Sequence, residues 1–200
     1  MKKDELLALM KRRAGRITTR AARQAGYSNS LLTSLEADGA IELESRGVWA
    51  LSDTPLDDFA VISLRWPRLI FSHDSALYLH GLADRAPSRY DVTCPQGYKA
   101  PAIFDEFPGI QVHACPLRLF DLGAIEGKSP TGTLIKLYDR ERCICDLIVQ
   151  RKRNKADGQT FAAALRGYMA SKDRDLPKLA RYAEKLGISR ELRVYAEVLA

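Results

Sequence analysis

Residues 18–52 read TTRAARQAGYSNSLLTSLEADGAIELESRGVWALS. Thr18 or Thr19 can accept hydrogen bonds from the free N–H groups of a short helix through Gln24, and Gly26 then breaks it in a tight turn. Ser28 or Asn29 caps a further helix, with Leu31, Leu32 and Leu35 on its inner face and Gly39 as its stop. Ile41 and Leu43 then alternate with Glu42 and Glu44, the chain turns at Ser45-Arg46-Gly47, and it returns through Val48 to Leu51 as a hairpin. Upstream, Leu6, Leu7, Leu9 and Met10 fall in a helical window over residues 4–13 closed by Gly15. Three helices followed by a two-stranded wing predict a winged helix-turn-helix.

The side chains left outside that core suggest what such a module touches. With Leu31, Leu32 and Leu35 inward, Asn29, Ser30, Thr33 and Ser34 stand free at the start of the third helix, where short polar groups reach base edges and phosphates. Arg20 and Arg23 flank them from the second helix, and Arg46 at the wing tip can meet phosphate or a minor groove. Small winged modules also serve as protein-binding or purely structural domains, and Glu36, Glu42 and Glu44 count against a strongly anionic partner. Both readings stay open on the residues alone.

Composition narrows the class. Hydrophobic residues make up 46% of 200, enough for a substantial core in one large domain or two smaller ones. No apolar run approaches the roughly 20 residues that span a bilayer. The opening MKKDELLALMKRR lacks a signal-type apolar core, so a cytoplasmic protein is expected. Four irregularly spaced cysteines, Cys94, Cys115, Cys143 and Cys145, read as reduced thiols. The basic excess sits at the ends: residues 1–55 carry nine Lys/Arg against seven Asp/Glu, residues 56–150 ten against twelve, and residues 151–200 twelve against six. An acidic partner touching both ends fits that distribution.

In the middle segment Ser72 can cap a helix with an apolar stripe of Ala76, Leu77, Leu79, His80 and Leu82, with Gly81 near its end. YDVTCP, IQVHACP and GTLIKLYD are short alternating runs, so a small mixed sheet covered by helices is expected. Catalytic motifs fare poorly. GAIEGKS has one residue too few for a phosphate-binding loop, and Pro130 interrupts the helix that should follow. His73, Asp74 and Ser75 are adjacent on one helix and point apart, whereas a hydrolytic triad needs its base beside its nucleophile. His113 and Cys115 with Cys143 and Cys145 could hold zinc if their strands met, but buried free cysteines are common in cores. No Gly-Ser followed by Asp-x-Asp is present, as a nucleotidyltransferase would need for two metal ions. No catalytic residue, metal or cofactor is expected.

The C-terminal segment carries Arg151, Lys152, Arg153 and Lys155, a run that reads either as a solvated loop or as a second, sequence-independent nucleic-acid surface. Helices follow, with Phe161, Leu165, Tyr168 and Met169, then Leu176, Leu179, Ala183 and Leu186, then Leu192, Tyr195, Ala196 and Leu199 at helical spacing. Their apolar faces are expected to bury against the middle sheet.

The wing end RGVWALS, followed by FSHDSALYLHGLADRAPSRYDVTCPQGYK and later by LIKLYDRERCICDLI, resembles the AbiEi family, the antitoxin component of type IV (AbiE) toxin–antitoxin systems of bacteria. The likeness runs over nearly the whole chain; the winged helix is generic, and SHDSALYLHGL with YDVTCPQGY is more specific. The resemblance implies an N-terminal domain that represses its own operon by binding inverted repeats in operator DNA. It implies a C-terminal domain that counteracts a nucleotidyltransferase toxin without a stable complex. The expected fold is therefore α/β (α+β): a winged helix-turn-helix over residues 1–55, a DTPLDDF linker, and a mixed α/β domain over residues 56–200 with a helical C-terminus. Two alternatives remain, an antitoxin that binds its toxin directly and an enzyme acting through the central domain with His73, Asp74 or His80.

Overall fold

The computed structural model describes residues 2–83, 85–153 and 158–199. The chain is a mixed α/β protein with two sheets and divides into two compact units, Met1–Pro67 with Gly127–Ile135 and Arg68–Glu126 with Lys136–Ala200. No helix among the described residues is long and apolar enough to cross a membrane.

The first unit opens with α1 (Lys2–Arg12), β1 (Arg16–Thr18), α2 (Thr19–Gln24), α3 (Asn29–Ala37), β2 (Ile41–Ser45), β3 (Val48–Leu51) and α4 (Asp58–Arg65). Capping explains the short helices. Thr18 Oγ1 accepts from the Ala21 N–H at 3.0 Å to start α2, and Ser28 Oγ accepts from the Leu31 N–H at 3.3 Å to start α3. Gly26 ends the turn between them at φ +87°, a conformation that glycine adopts without a Cβ clash. Leu6, Met10, Ile17, Ala22, Leu32, Leu35, Ile41 and Leu51 form the core, with Leu31 packed at its edge.

The sheet differs from the expected two-stranded wing. It has three strands in the order β1-β3-β2, all antiparallel, with Arg16 opposite Ala50 and Thr18 opposite Val48. Three residues are too few to show an alternation, so β1 left no periodic signal of its own. The expected linker is also more structured than its Asp and Pro content suggests. Asp57 is buried, accepts from the Ala60 N–H at 3.2 Å to cap α4, and accepts from Thr131 through its backbone N–H at 3.1 Å and its hydroxyl at 2.6 Å.

The second unit contains β4 (Ile70–Phe71), α5 (His73–Leu79), β5 (Asp91–Pro95), α6 (Ala102–Glu106), β6 (Gln111–Cys115), α7 (Leu117–Phe120), most of β7 (Ala124–Lys128) and of β8 (Leu134–Tyr138), α8 (Arg140–Lys152), α9 (Gly158–Ala170), α10 (Leu176–Leu186) and α11 (Ser189–Leu199). Its sheet runs β6-β5-β4-β8-β7 and is mixed: β4 is antiparallel to β5 and parallel to β8, and β5 is parallel to β6. The segment GAIEGKS lies in strand β7 and the loop after it, not in a phosphate-binding turn before a helix.

Cys143 and Cys145 belong to α8, not to a strand. Asp139 starts this helix by accepting from the Arg142 N–H at 2.8 Å, and residues Glu141 to Ile148 are all buried. A segment buried on every side, with the charged Glu141, Arg142 and Asp146 among its buried residues, carries no face signal, which is why periodicity does not separate it from a buried strand. Phe161, Leu165 and Tyr168 of α9 and Leu179 and Ala183 of α10 bury with α8 and α5 in one core. The C-terminal helices thus cover the central helix more than the sheet itself.

Candidate nucleic-acid interface and a histidine-lined cavity

In the first unit Asn29, Ser30 and Thr33 are exposed along α3, Ser34 is half-buried, and Arg20, Arg23 and Arg46 are exposed. Arg23 Nε donates to Asn29 Oδ1 at 2.9 Å, which joins the last turn of α2 to the first of α3. The Ser28 and Ser30 hydroxyls lie 2.8 Å apart, and the Thr33 hydroxyl turns back to the Asn29 carbonyl at 3.2 Å. At the other end of α2, the Thr19 N–H donates to the Gly47 carbonyl at 2.9 Å and Trp49 Nε1 donates to Thr19 Oγ1 at 2.8 Å. These bonds hold the β2–β3 turn, with Arg46 at its tip, against the start of α2, where Arg20 stands.

Glu44 does not oppose that basic face. Its carboxylate, with a side chain 4% exposed, takes Arg16 Nε at 2.6 Å and Nη2 at 2.7 Å, while Arg16 also donates to Thr131 Oγ1 at 3.0 Å and the Pro55 carbonyl at 2.5 Å. Glu36 and Glu42 remain exposed. Sequence reasoning missed Arg65 of α4, which donates to Ser45 Oγ at 3.0 Å beside the turn and lies over the Trp66 ring. Burial and the nearby charge of Arg46 both lower the Arg65 pKa. No local motif marks Arg65, because only the fold brings α4 beside the β2–β3 turn.

The C-terminal basic run is divided. Arg151, Lys152 and Arg153 are exposed, but Lys152 Nζ pairs with Glu191 at 2.6 Å and Arg153 lines a cavity. Lys155 lies outside the described residues.

That cavity, of about 630 Å³, lies in the second unit. His73, Asp91 and His113 meet in its wall. Asp91 and His113 sit two positions apart across the parallel β5–β6 ladder, on one face of the sheet, with His113 directly opposite Thr93. His113 Nε2 lies 2.7 Å from Asp91 Oδ1, and the His73 ring stacks on that of His113 with centroids 3.8 Å apart and an interplanar angle of 23°.

Ser72 occupies the cap position of α5 but does not cap it. Its hydroxyl lies 2.9 Å from His73 Nδ1 and accepts from the Thr93 hydroxyl at 2.9 Å. His73 itself has φ +48°, in the left-handed region that a residue with a Cβ rarely occupies. Burial first, then the His113 ring, pushes the His73 pKa down to about 3; Asp91 works against this and Arg142 adds to it.

Arg142 forms the floor. It pairs with Asp146 at 3.0 Å, donates to the Leu119 and Leu122 carbonyls at 2.7 and 2.8 Å, and stacks over Tyr138. Burial opposes its charge, but Asp146 more than compensates and raises the Arg142 pKa. The Asp146 carboxyl is raised by burial, with Arg142 countering only in part.

The residues once grouped by adjacency separate. Asp74 lines the cavity with His73, whereas Ser75 is buried and accepts from the Asp91 N–H at 2.8 Å. His80 donates through Nε2 to the Tyr138 carbonyl at 2.7 Å, and burial lowers its pKa. The four-ligand set of His113 with three cysteines does not assemble. Cys115, Cys143 and Cys145 turn their sulfurs to the carbonyls of Pro116, Tyr138 and Leu179 in that order. His113 instead joins His73 and Asp91, partners 40 and 22 positions away in the sequence.

No protein-family model and no curated protein matches the chain. Among solved structures, the RV2827C protein from Mycobacterium tuberculosis is similar, with a TM-score of 0.54 and 18% identity over 90% of this chain and 70% of that one. At that identity the likeness concerns the fold alone.

Proposed function

We propose that the first unit is a winged helix-turn-helix that binds inverted repeats in its own operon promoter, and that the protein is a repressor and type IV antitoxin. The observation that carries the DNA half is the exposed polar start of α3, Asn29, Ser30 and Thr33, tied to Arg23 and flanked by Arg20 and by Arg46 on the β2–β3 turn. In this reading α3 lies in a major groove while Arg20 and Arg46 neutralise phosphates, and the bound protein blocks polymerase. The closure of Glu44 by Arg16 supports it by removing one negative charge from the wing.

The antitoxin half is supported by the sequence resemblance over FSHDSALYLHGLADRAPSRYDVTCPQGYK and LIKLYDRERCICDLI. The first unit would serve repression and the second would oppose a nucleotidyltransferase toxin. The deciding experiment is fluorescence-anisotropy titration of the full chain with its own upstream DNA and with a scrambled duplex, at several salt concentrations. Tight, salt-steep binding that prefers the upstream duplex supports the repressor. Equal weak binding to both would overturn it and turn attention to direct protein contact. Arg20→Ala with Arg46→Ala in the whole chain, expressed beside the toxin, tests the division of labour: lost operator binding with protection kept supports it, and loss of protection in a stably folded variant would count against it.

A further inference from the structure

The geometry points to a second function outside the DNA-binding reading: His73, Asp91 and His113 form a binding site for one zinc-class divalent transition-metal ion, open to the cavity of the second unit. The three ligand atoms lie within 4.8 Å of one another, and among the described residues they are the group of His, Cys, Asp and Glu that converges in this way. A tetrahedral ion with bonds of about 2.0–2.2 Å spans ligand pairs about 3.3–3.6 Å apart. Asp91 and His113, 2.7 Å apart as a hydrogen-bonded pair, would open to that spacing around an ion.

Three further observations make this a built site. The Asp91 residue is 3% exposed and its neighbour His113 shares the same sheet face, so both ligands stand on a rigid ladder. His73 is held by its left-handed backbone, a strained conformation for a non-glycine residue that persists where its surroundings impose it. Its Nδ1 is held by Ser72, itself fixed by Thr93, which leaves Nε2 to face an ion; such outer hydroxyl and carbonyl partners orient imidazole ligands in metal sites. Two imidazoles with one carboxylate select zinc, cobalt, nickel or iron over magnesium and calcium, which prefer all-oxygen shells. Three protein ligands leave a fourth position for water or an anionic group, and the cavity they share is also lined by Arg89, Gln111 and Arg153.

The test uses tag-free full-length protein stripped with chelator and titrated with Co²⁺ as a visible probe, followed by Zn²⁺. One Co²⁺ per chain is expected, with ligand-field bands, no thiolate-to-cobalt charge transfer, and displacement by Zn²⁺ that also raises Tm. His113→Ala and Asp91→Asn should lose the bands, and Ser72→Ala should weaken binding by about 10-fold or more while keeping them. Absence of a ligand-field spectrum in the wild-type chain would overturn the proposal without recourse to any variant. So would a spectrum dominated by thiolate charge transfer, which assigns the ion to the cysteines. Neither result bears on operator binding.

Discussion

Arg16 and Glu44 close on each other through two hydrogen bonds of 2.6 and 2.7 Å, with side chains 0% and 4% exposed. Removing one partner of such a pair strands the other charge out of water. Arg16→Ala or Glu44→Ala should each destabilise the protein by about 3–5 kcal/mol in urea unfolding. A loss below about 1 kcal/mol would show that the pair is solvated in solution.

Arg46→Ala should weaken operator and scrambled DNA alike and lower the salt slope by about 1, the signature of a lost phosphate contact. Asn29→Ala should instead cost about 1–3 kcal/mol on the operator and little on the scrambled duplex. Anisotropy titrations at four salt concentrations separate the two patterns, and identical behaviour of both variants would refute the assignment of roles.

Neutralising Arg151, Lys152 and Arg153 together should lower affinity for both duplexes by the same factor. Because Lys152 is paired with Glu191, the single Lys152→Ala change should have the smaller effect. An unchanged affinity and salt slope in the triple variant would remove this surface from the interface.

His73 makes stability depend on acidity in the metal-free protein. Its folded pKa lies near 3, below the usual imidazole value of 6.5, so the unfolded chain takes up a proton that the folded chain refuses. The contribution is full above about pH 6.5 and is lost progressively as pH falls towards 3, with a slope of at most about 1.4 kcal/mol per pH unit. Urea melts between pH 7 and 5 should show the wild type weakening faster than His73→Gln; parallel curves would exclude the effect.

The parts of the fold written in local chemistry were legible in the sequence. Thr18, Ser28, Gly26 and Gly47 mark caps and turns by residue type, and each acts over three or four positions. Longer-range features left no such mark. β1 exists because Arg16–Thr18 finds β3 some thirty residues on, and Arg65 reaches the β2–β3 turn only through α4. The alternation of His113 and Cys115 does place both on the cavity face. Which partners His113 meets there depends on the parallel register of β5 and β6 and on the point where α5 begins, and neither is encoded in the spacing of ligands along the chain.

The bond from Arg23 to Asn29 carries a consequence for the operator alphabet. Arg23 takes one of the two lone pairs of Asn29 Oδ1 and fixes the plane of the amide, which leaves the second lone pair and both N–H donors free of that bond. In a major groove that acceptor and those donors match the N6 and N7 of adenine in a two-point contact. Selection from degenerate duplexes should therefore return adenine at that position, and Arg23→Ala, which frees the amide to rotate, should relax the preference.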